Sequence, residues 1–300
     1  MRRRFVTLDV FTDTRFAGNP LAVVLDAEGL DDAAMQAVAR EFNLSETVFV
    51  LPPEEAAHRA RLRIFTPASE LPFAGHPTVG AAVLLGRLDA LEEETEMMLE
   101  ENVGPVRCMV RPARHGGAGH ARFDLPRLPQ RVGDAADASV VAAALGLSPG
   151  DIGCAGFTLG RWSAGIEFTM VPVRDRGTIA RARADLARWP QAFGGSGQGA
   201  AFLFCREVVD ARHFLHARMF APAMGVAEDP ATGSAVAALS GVIAREGGLA
   251  DGVHALAIEQ GYEMGRPSVV HLGLVLARGG VAAASIGGDA VLVSEGEIEA

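Results

Sequence analysis

Short segments in which apolar and polar residues alternate dominate the chain, and this period of two predicts β-strands. In the first part of the chain these strands cover 5–11, 21–25, 47–51 and 61–65. One amphipathic segment departs from the pattern and predicts a helix that starts at Asp31 or Asp32. Its apolar stripe consists of Met35, Val38, Ala39 and Phe42. Many short strands with few helices indicate an α+β protein.

The rest of the chain continues in the same way. Further strands are predicted over 92–110, 121–125, 168–173, 201–205, 213–220, 255–259, 269–277, 281–286 and 290–294, and helices over 139–147 and 179–189. A turn at Gly287-Gly288-Asp289 is expected to join the last two strands. Two prolines in the polar stretch 125–130 resist regular structure and predict a linker.

Two segments of small apolar residues predict buried helices. In the second of them, 227–246, Asp229 is a favourable N-cap and Pro230 suits the first helical position. Almost no polar face follows, and a helix that is apolar all round is buried. The first such helix is opened by His76 and Pro77 and runs over 78–88. Both segments are too short to cross a membrane.

The surroundings of these two helices form an internal repeat. Arg63-Ile-Phe-Thr-Pro-Ala is matched by Arg218-Met-Phe-Ala-Pro-Ala, and His76-Pro-Thr-Val-Gly by Asp229-Pro-Ala-Thr-Gly. The chain therefore contains two copies of one unit, each with many strands around one buried helix. We predict two pseudo-symmetric domains, 1–127 with 282–300 and 128–281, whose helix N-termini point into a shared cleft.

Composition narrows the class of protein. The formal net charge of −10 and the absence of a basic run argue against a nucleic-acid partner. Asp9 interrupts the apolar run after the initial arginines, so no signal peptide is expected, and no stretch is long enough for a membrane helix. Three cysteines without metal-like spacing fit a reducing cytoplasm and no disulfide framework.

Three ionisable residues are candidates for acid–base chemistry. His76 and Asp229 hold the same position in the two repeats, and capping explains the aspartate but not the histidine. Glu46 begins a strand whose two faces are both apolar, so we expect a desolvated carboxyl with a raised pKa. Such a group suits proton transfer, whereas the positive helix end favours the anion of Asp229.

Backbone N–H groups at the starts of the two helices are candidate sites for a substrate carboxylate. They belong to Gly75 in the first copy and to Gly233 and Ser234 in the second. Asn19, in a Gly-Asn-Pro turn, is a further substrate-binding candidate. The histidine pairs 115/120 and 213/216 lack the ligands that would complete a metal site. The glycine-rich segment 194–199 lacks the residues of a phosphate-binding loop.

Four segments in order, 43–49, 72–78, 228–234 and 259–268, resemble the PhzF family of phenazine-biosynthesis-type isomerases. The resemblance extends over nearly the whole chain. It implies the diaminopimelate epimerase-like fold, with two β-barrels that each enclose a helix, an active site between them, and a homodimer. It also implies a cofactor-free proton shift on a dihydro-3-hydroxyanthranilate. Glu46 would be the acid–base group, assisted by His76 and Asp229, and the substrate contacts would be Gly75, Gly233 and Ser234.

Two alternatives remain open from the sequence. Amino-acid racemases and epimerases with two thiols share this fold, but they need a cysteine at each helix start, where this chain has Gly75-His76 and Glu228-Asp229. A protein that binds small carboxylates without catalysis is the other alternative.

Overall fold

The computed structural model describes residues 1–113, 117–194 and 199–300. It divides into two compact units. Unit 1 comprises Met1–Pro126 together with Gly287–Ala300, and unit 2 comprises Arg127–Ile286. Unit 1 is therefore assembled from both ends of the chain.

The elements of the two units follow in chain order. The strands are β1 (Arg2–Val10), β2 (Asn19–Val24), β3 (Glu46–Leu51), β4 (Ala60–Phe65), β5 (Glu70–Leu71), β6 (Thr95–Glu101), β7 (Gly104–Arg111), β8 (Gly119–Asp124), β9 (Gln130–Gly133), β10 (Gly160–Ser163), β11 (Glu167–Pro172), β12 (Ala201–Cys205), β13 (Leu215–Ala221), β14 (Val226–Asp229), β15 (Gly252–Gln260), β16 (Ser268–Ala277) and β17 (Gly280–Glu299). The α-helices are α1 (Asp32–Phe42), α2 (Gly75–Leu88), α3 (Ala138–Ala144), α4 (Arg176–Arg181), α5 (Trp189–Phe193) and α6 (Gly233–Glu246). Single 3₁₀ turns occupy Pro149–Asp151, Pro222–Met224 and Tyr262–Met264. The fold class is α+β, as predicted.

Unit 1 is a closed barrel of eight strands. Around the barrel, β1 pairs with β2, β2 with β3, β3 with β4, β4 with β6, β6 with β7, and β7 with β8. The final strand β17 closes the ring because it pairs with both β8 and β1. The pairs β2–β3 and β4–β6 are parallel, and the others with a defined register are antiparallel.

The two helices of unit 1 have different environments. Helix α2 is buried from Gly75 to Gly86, as its all-round apolar sequence predicts. Helix α1 is amphipathic and packs Met35, Val38 and Ala39 against aromatic residues of the sheet. The Asp31 carboxylate accepts the backbone N–H of Ala34 at 2.8 Å, so the predicted start of α1 is confirmed.

Unit 2 shares with unit 1 two parallel strand pairs, here β11–β12 and β13–β15, and a buried helix. Its strands pair in the order β9, β10, β11, β12, β13, β15 and β16, and β14 pairs with β13. Helix α6 is buried over most of its length, and helices α3 to α5 form a second apolar core with the sheet. Ser285 of β17 lies against Gly273 of β16.

Side-chain contacts confirm the internal repeat. Arg63 donates two hydrogen bonds to Glu70, at 2.8 and 2.6 Å, and lies over the ring of Phe65. In unit 2 Arg218 donates two to Glu228, at 2.7 and 2.8 Å, and lies over Phe220. Bidentate pairing fixes the orientation of a guanidinium, so the two copies share a specific side-chain arrangement.

Two predicted elements are wrong. The helix over 179–189 is two short helices, α4 and α5, because the Asp185 carboxylate accepts the backbone N–H groups of Ala187 and Arg188 and so holds a turn. The turn at 287–289 is absent, since β17 is continuous from Gly280 to Glu299. Its two glycines instead permit close packing: a Cβ on Gly288 would lie 2.4 Å from the Phe11 ring.

The predicted start of the second buried helix is also wrong. Asp229 ends β14, and the N-cap of α6 is Thr232. The backbone N–H of Thr232 donates to the side chain of Gln260 at 3.1 Å, which holds residues 230–232 outside the helix. Helix α2 starts earlier than predicted, at Gly75, so His76 lies within its first turn.

Gly241→Ala is expected to destabilise the protein by about 1–3 kcal/mol through overpacking. In an ordinary helix interior the same change stabilises by roughly 0.5–1 kcal/mol. Here a Cβ would lie 2.6 Å from the buried ring of Trp162. Urea unfolding measures the difference, with Gly150→Ala as the control because a Cβ there meets no atom within 4 Å. A stabilised Gly241→Ala variant would contradict the packing of α6 on β10.

No helix among the described residues is long and apolar enough to span a membrane.

Candidate active site

Three of the predicted site residues meet in unit 1. Glu46 is the first residue of β3, Asn19 is the first residue of β2, and His76 lies in the first turn of α2. The Nδ1 atom of His76 is 3.4 Å from a carboxylate oxygen of Glu46 and 3.4 Å from the amide nitrogen of Asn19. The parallel register of β2 and β3, with Leu21 opposite Glu46, places the starts of both strands beside α2.

Burial decides the protonation of this histidine. His76 is 4% exposed, and burial lowers its pKa from 6.5 to about 3. A neutral imidazole carries one proton, so Nδ1 either donates to the Glu46 carboxylate or accepts from Asn19 or from a protonated Glu46. The ring can therefore hydrogen-bond to Glu46 in both of its protonation states. That property suits a carboxyl group that gains and loses a proton during a reaction.

The depressed pKa of His76 predicts a loss of stability in acid. Below pH 6.5 the unfolded chain takes up a proton at this residue, whereas the folded protein does so only near pH 3. The contribution of neutral His76 to the unfolding free energy is therefore complete above pH 6.5. As the pH falls below this value, the contribution decreases by up to about 1.4 kcal/mol per pH unit. Urea unfolding measures the free energy of unfolding at pH 6.5 and at pH 5. The decrease between these two pH values should be about 2 kcal/mol smaller for His76→Asn than for the wild type. Equal losses would contradict a neutral buried His76.

Gly75 is the first residue of α2, directly before His76. The first N–H groups of a helix have no partner within the helix, and Ala74, the N-cap, supplies no side-chain oxygen. This end of α2 carries the partial positive charge of the helix dipole beside Glu46 and His76.

The remaining predicted site residues lie in unit 2. The hydroxyl of Thr232 donates to Oδ2 of Asp229 at 2.6 Å. Gln260, which is fully buried, donates from Nε2 to the backbone oxygen of Asp229 at 2.7 Å and to the Thr232 hydroxyl at 3.0 Å. Gly233 and Ser234 are the first two residues of α6. Asp229 thus lies beside the start of a buried helix, in a fixed hydrogen-bond arrangement.

Residues that the sequence argument did not single out complete both arrangements. In unit 2 this residue is Gln260. In unit 1 they are Thr78 and Glu101, whose side chains lie 2.6 Å apart. Glu101 carried a detectable signal, because alternation along β6 places it on the same buried face as Met97 and Leu99. Gln260 lies in the segment 259–268, which the sequence argument used only as a family motif.

The weaker candidates are placed as follows. Among residues 1–113, 117–194 and 199–300, no group of three or more His, Cys, Asp or Glu side chains is arranged to hold a metal ion. His115 and residues 195–198 of the glycine-rich segment lie outside the described residues. His120 contacts Asp289 at 2.9 Å, and His213 and His216 both contact Glu259.

The cysteines do not lie at the helix starts. Cys108 is on β7, Cys205 is on β12, and Cys154 lies between α3 and β10. Burial raises the pKa of the Cys108 thiol strongly and that of Cys205 to about 12. A thiol that stays protonated is a poor base, so this arrangement does not favour a two-thiol mechanism.

Comparison with known proteins identifies the family to which this α+β barrel with a buried helix belongs. The family model of phenazine biosynthesis-like proteins, PhzC-PhzF, matches residues 8–296. An isomerase of Mesorhizobium japonicum described as uncharacterised is 48% identical, over 99% of this chain and 98% of its own. The trans-2,3-dihydro-3-hydroxyanthranilate isomerase of Pseudomonas aeruginosa is 34% identical, over 98% of both chains. The crystal structure of a PhzF-family phenazine biosynthesis protein from Bacillus anthracis matches with a TM-score of 0.90, at 27% identity over 100% of both chains.

The chain belongs to the PhzC-PhzF family of phenazine biosynthesis-like proteins. It is an isomerase, and the resemblance inferred from its four sequence segments is confirmed.

Proposed function

We propose that the protein is a cofactor-independent isomerase that moves a proton within a small cyclic, unsaturated carboxylate of the trans-2,3-dihydro-3-hydroxyanthranilate type. The observation that carries this proposal is the contact of the Glu46 carboxylate with the neutral imidazole of His76, at 3.4 Å. In this proposal Glu46 is the base and then the acid. The relatives that are named for this reaction support the choice of substrate class.

The chemistry needs only one group that accepts and returns a proton. The Glu46 carboxylate removes a proton from a carbon of the substrate, and the electron pair of that C–H bond moves into the conjugated system. The protonated Glu46 then delivers the proton to a second carbon. Throughout, His76 keeps one tautomer: with its proton on Nδ1 it donates to an oxygen of Glu46, which can accept both as the carboxylate and as the acid. A positioned acid–base group of this kind contributes about 10²–10⁴-fold to a rate.

The proposal assigns the remaining predicted residues to orientation and binding. Asp229 assists the proton shift and is held in place by the Thr232 hydroxyl, which donates to it. Backbone N–H groups at Gly75, Gly233 and Ser234 bind the substrate carboxylate, and the start of a helix contributes about 0.3–1 kcal/mol to an anion. Asn19 donates its amide toward the substrate or His76.

Incubation of the protein with trans-2,3-dihydro-3-hydroxyanthranilate in deuterated water tests the proposal. Proton NMR should show conversion to an isomer and reveal whether deuterium enters at a carbon. The absence of both conversion and deuterium exchange would refute the proposed function. Deuterium uptake at Cα of an amino acid, abolished by thiol alkylation, would support a racemase or epimerase instead. A higher melting temperature with a carboxylate but no proton exchange would support a binding protein.

We also propose a cytoplasmic homodimer that binds no nucleic acid. The family resemblance supports the dimer, the net charge of −10 disfavours a polyanionic partner, and three free cysteines fit a reducing compartment. Light scattering of the purified protein measures the oligomeric state.

A further inference from the structure

Two pairs of adjacent residues, Glu100-Glu101 on β6 and Glu259-Gln260 on β15, occupy matching positions in the two units. Strand β6 runs parallel to β4 with Glu100 opposite Arg61, and β15 runs parallel to β13 with Glu259 opposite His216. Arg61 and His216 each lie two residues before the matching arginines of the repeat, Arg63 and Arg218. The two pairs are therefore equivalent by register.

The first member of each pair has the same contacts. Glu100 accepts the backbone N–H groups of Glu54 and Glu55 and contacts Nδ1 of His58, all within 2.8 Å. Glu259 accepts the backbone N–H groups of two adjacent residues, Val209 and Asp210, and contacts Nδ1 of His213 and His216. These donors hold both carboxylates ionised, with the pKa of each lowered to about 2.

The second member of each pair points to the opposite face of its strand and reaches a threonine at the start of the central helix. Gln260 Nε2 donates to the Thr232 hydroxyl at 3.0 Å. An oxygen of Glu101 lies 2.6 Å from the Thr78 hydroxyl, which is also 2.7 Å from the backbone oxygen of Ala74. A hydroxyl has one proton to donate. If Thr78 donates it to Ala74, Glu101 must supply the proton of the second hydrogen bond.

A neutral carboxylic acid offers one donor and one acceptor, as the amide of Gln260 does, so it can perform the same role. We propose that Glu101 and Gln260 are paired positioning residues: they hold the starts of α2 and α6, and with them His76 and Asp229, and Glu101 does so as the neutral acid. The value of this positioning for catalysis rests on the proposed function, but the hydrogen-bond role does not.

The surroundings of Glu101 agree with a neutral group. It is 6% exposed, and its second oxygen is buried without a hydrogen-bond partner among the described residues. From β7 the ionisable residue near it is Cys108, from α2 it meets Thr78, and in the β6–β7 hairpin it lies opposite Gly104. None of these is a cation. Burial raises the pKa of Glu101 from 4.5 to about 8.

Reciprocal exchange of the two side chains tests the proposal. Glu101→Gln gives unit 1 the amide of unit 2, and Gln260→Glu does the reverse. The folded-state pKa of Glu101 is raised, so its contribution is complete below pH 4.5 and is lost as the pH rises to about 8. Between these values the unfolding constant of the wild type should rise about tenfold more per pH unit than that of Glu101→Gln.

Glu100→Gln is the matched control, since it makes the same change one residue away. It replaces an acceptor of three hydrogen bonds, so it should destabilise the fold at every pH from 5 to 8. The change of the unfolding constant per pH unit should remain that of the wild type. The unfolding constant of Gln260→Glu should rise more steeply with pH than that of the wild type, because a second buried carboxyl is introduced. If the unfolding constant of Glu101→Gln rises with pH between 5 and 8 as steeply as that of the wild type, the proposal is overturned.

Two further readouts separate positioning from stability and from the proposed function. If the substrate is converted, turnover of the wild type should decline above about pH 8, and that of Glu101→Gln should not. Coincident pH profiles would overturn the positioning role. Amide exchange at Thr232 should accelerate at least tenfold in Gln260→Met, and unchanged exchange would overturn the role of Gln260. If the protein converts no substrate, the proposed function is refuted. The pH dependence of the unfolding constant and the amide exchange rate at Thr232 still decide the positioning role of Glu101 and Gln260.

Discussion

Glu46→Gln is expected to lower kcat for the proposed isomerisation by about 10²–10⁴-fold, the contribution of a positioned acid–base group. The amide matches the carboxyl in shape but cannot take up a proton from carbon at neutral pH. It can still contact His76, so KM and the unfolding free energy should change little. The measurement is steady-state turnover together with deuterium exchange at the substrate carbon.

The control for this substitution is Glu41→Gln, an identical change on the exposed surface of α1. It should retain the kcat of the wild type. Full turnover by Glu46→Gln would remove Glu46 from the proton transfer. A large rise in KM with unchanged kcat would make Glu46 a binding residue instead.

Gly261→Ala is expected to destabilise the protein by about 2–5 kcal/mol, because two costs of about 1–2 and 1–3 kcal/mol add. The first cost is conformational: φ of Gly261 is +81°, a value that alanine adopts poorly. The second is steric, since a Cβ would lie 2.4 Å from the backbone oxygen of Arg266 and 2.5 Å from that of Pro230. Backbone atoms cannot rotate away, so the segment that follows Asp229 must move.

Gly265→Ala separates these two costs within the same turn. Gly265 also has a positive φ, +70°, but a Cβ there meets no atom within 4 Å. It should lose only about 1–2 kcal/mol. Equal urea midpoints for the two variants would show that the close approach of Gly261 to Pro230 is unimportant. Turnover should fall further in Gly261→Ala than in Gly265→Ala, because Pro230 directly follows Asp229.

Local patterns predicted the elements whose own residues determine them. Helix α1 has its cap, its apolar stripe and its left-handed end at Asn43 within one short segment, Asp31 to Asn43, so periodicity suffices. The helix predicted over 179–189 failed because the Asp185 side chain competes for backbone N–H groups, which periodicity does not register. Gly287 and Gly288 were misread as a turn since glycine serves close packing equally well, and only Phe11 and Arg122, distant in sequence, distinguish the two uses.

The site could be predicted as far as the repeat reached. Matching His76 to Asp229 identified the segments that lead into both buried helices, although Asp229 itself ends β14 and α6 begins at Gly233. Glu46 followed from its position at the start of a buried strand. Alternation along β6 marks Glu101 as buried, but its contact with Thr78 could not be predicted, nor could that of Gln260 with Thr232. Both contacts depend on the parallel pairings of β4 with β6 and of β13 with β15. Tertiary pairing of this kind leaves no mark in a local window of sequence.

The pairing of β17 with β1 has a consequence for synthesis on the ribosome. Strand β1 is made first, but one of its edges pairs with β17, which is made last. Unit 2 ends at Ile286, before the part of β17 that pairs with β1, residues 290–299. At about 5–20 residues per second the barrel of unit 1 therefore stays open for roughly 10–30 s. During that time the free edge of β1 can pair with other chains. Nascent chains halted before residue 287 should therefore expose this edge and recruit chaperones.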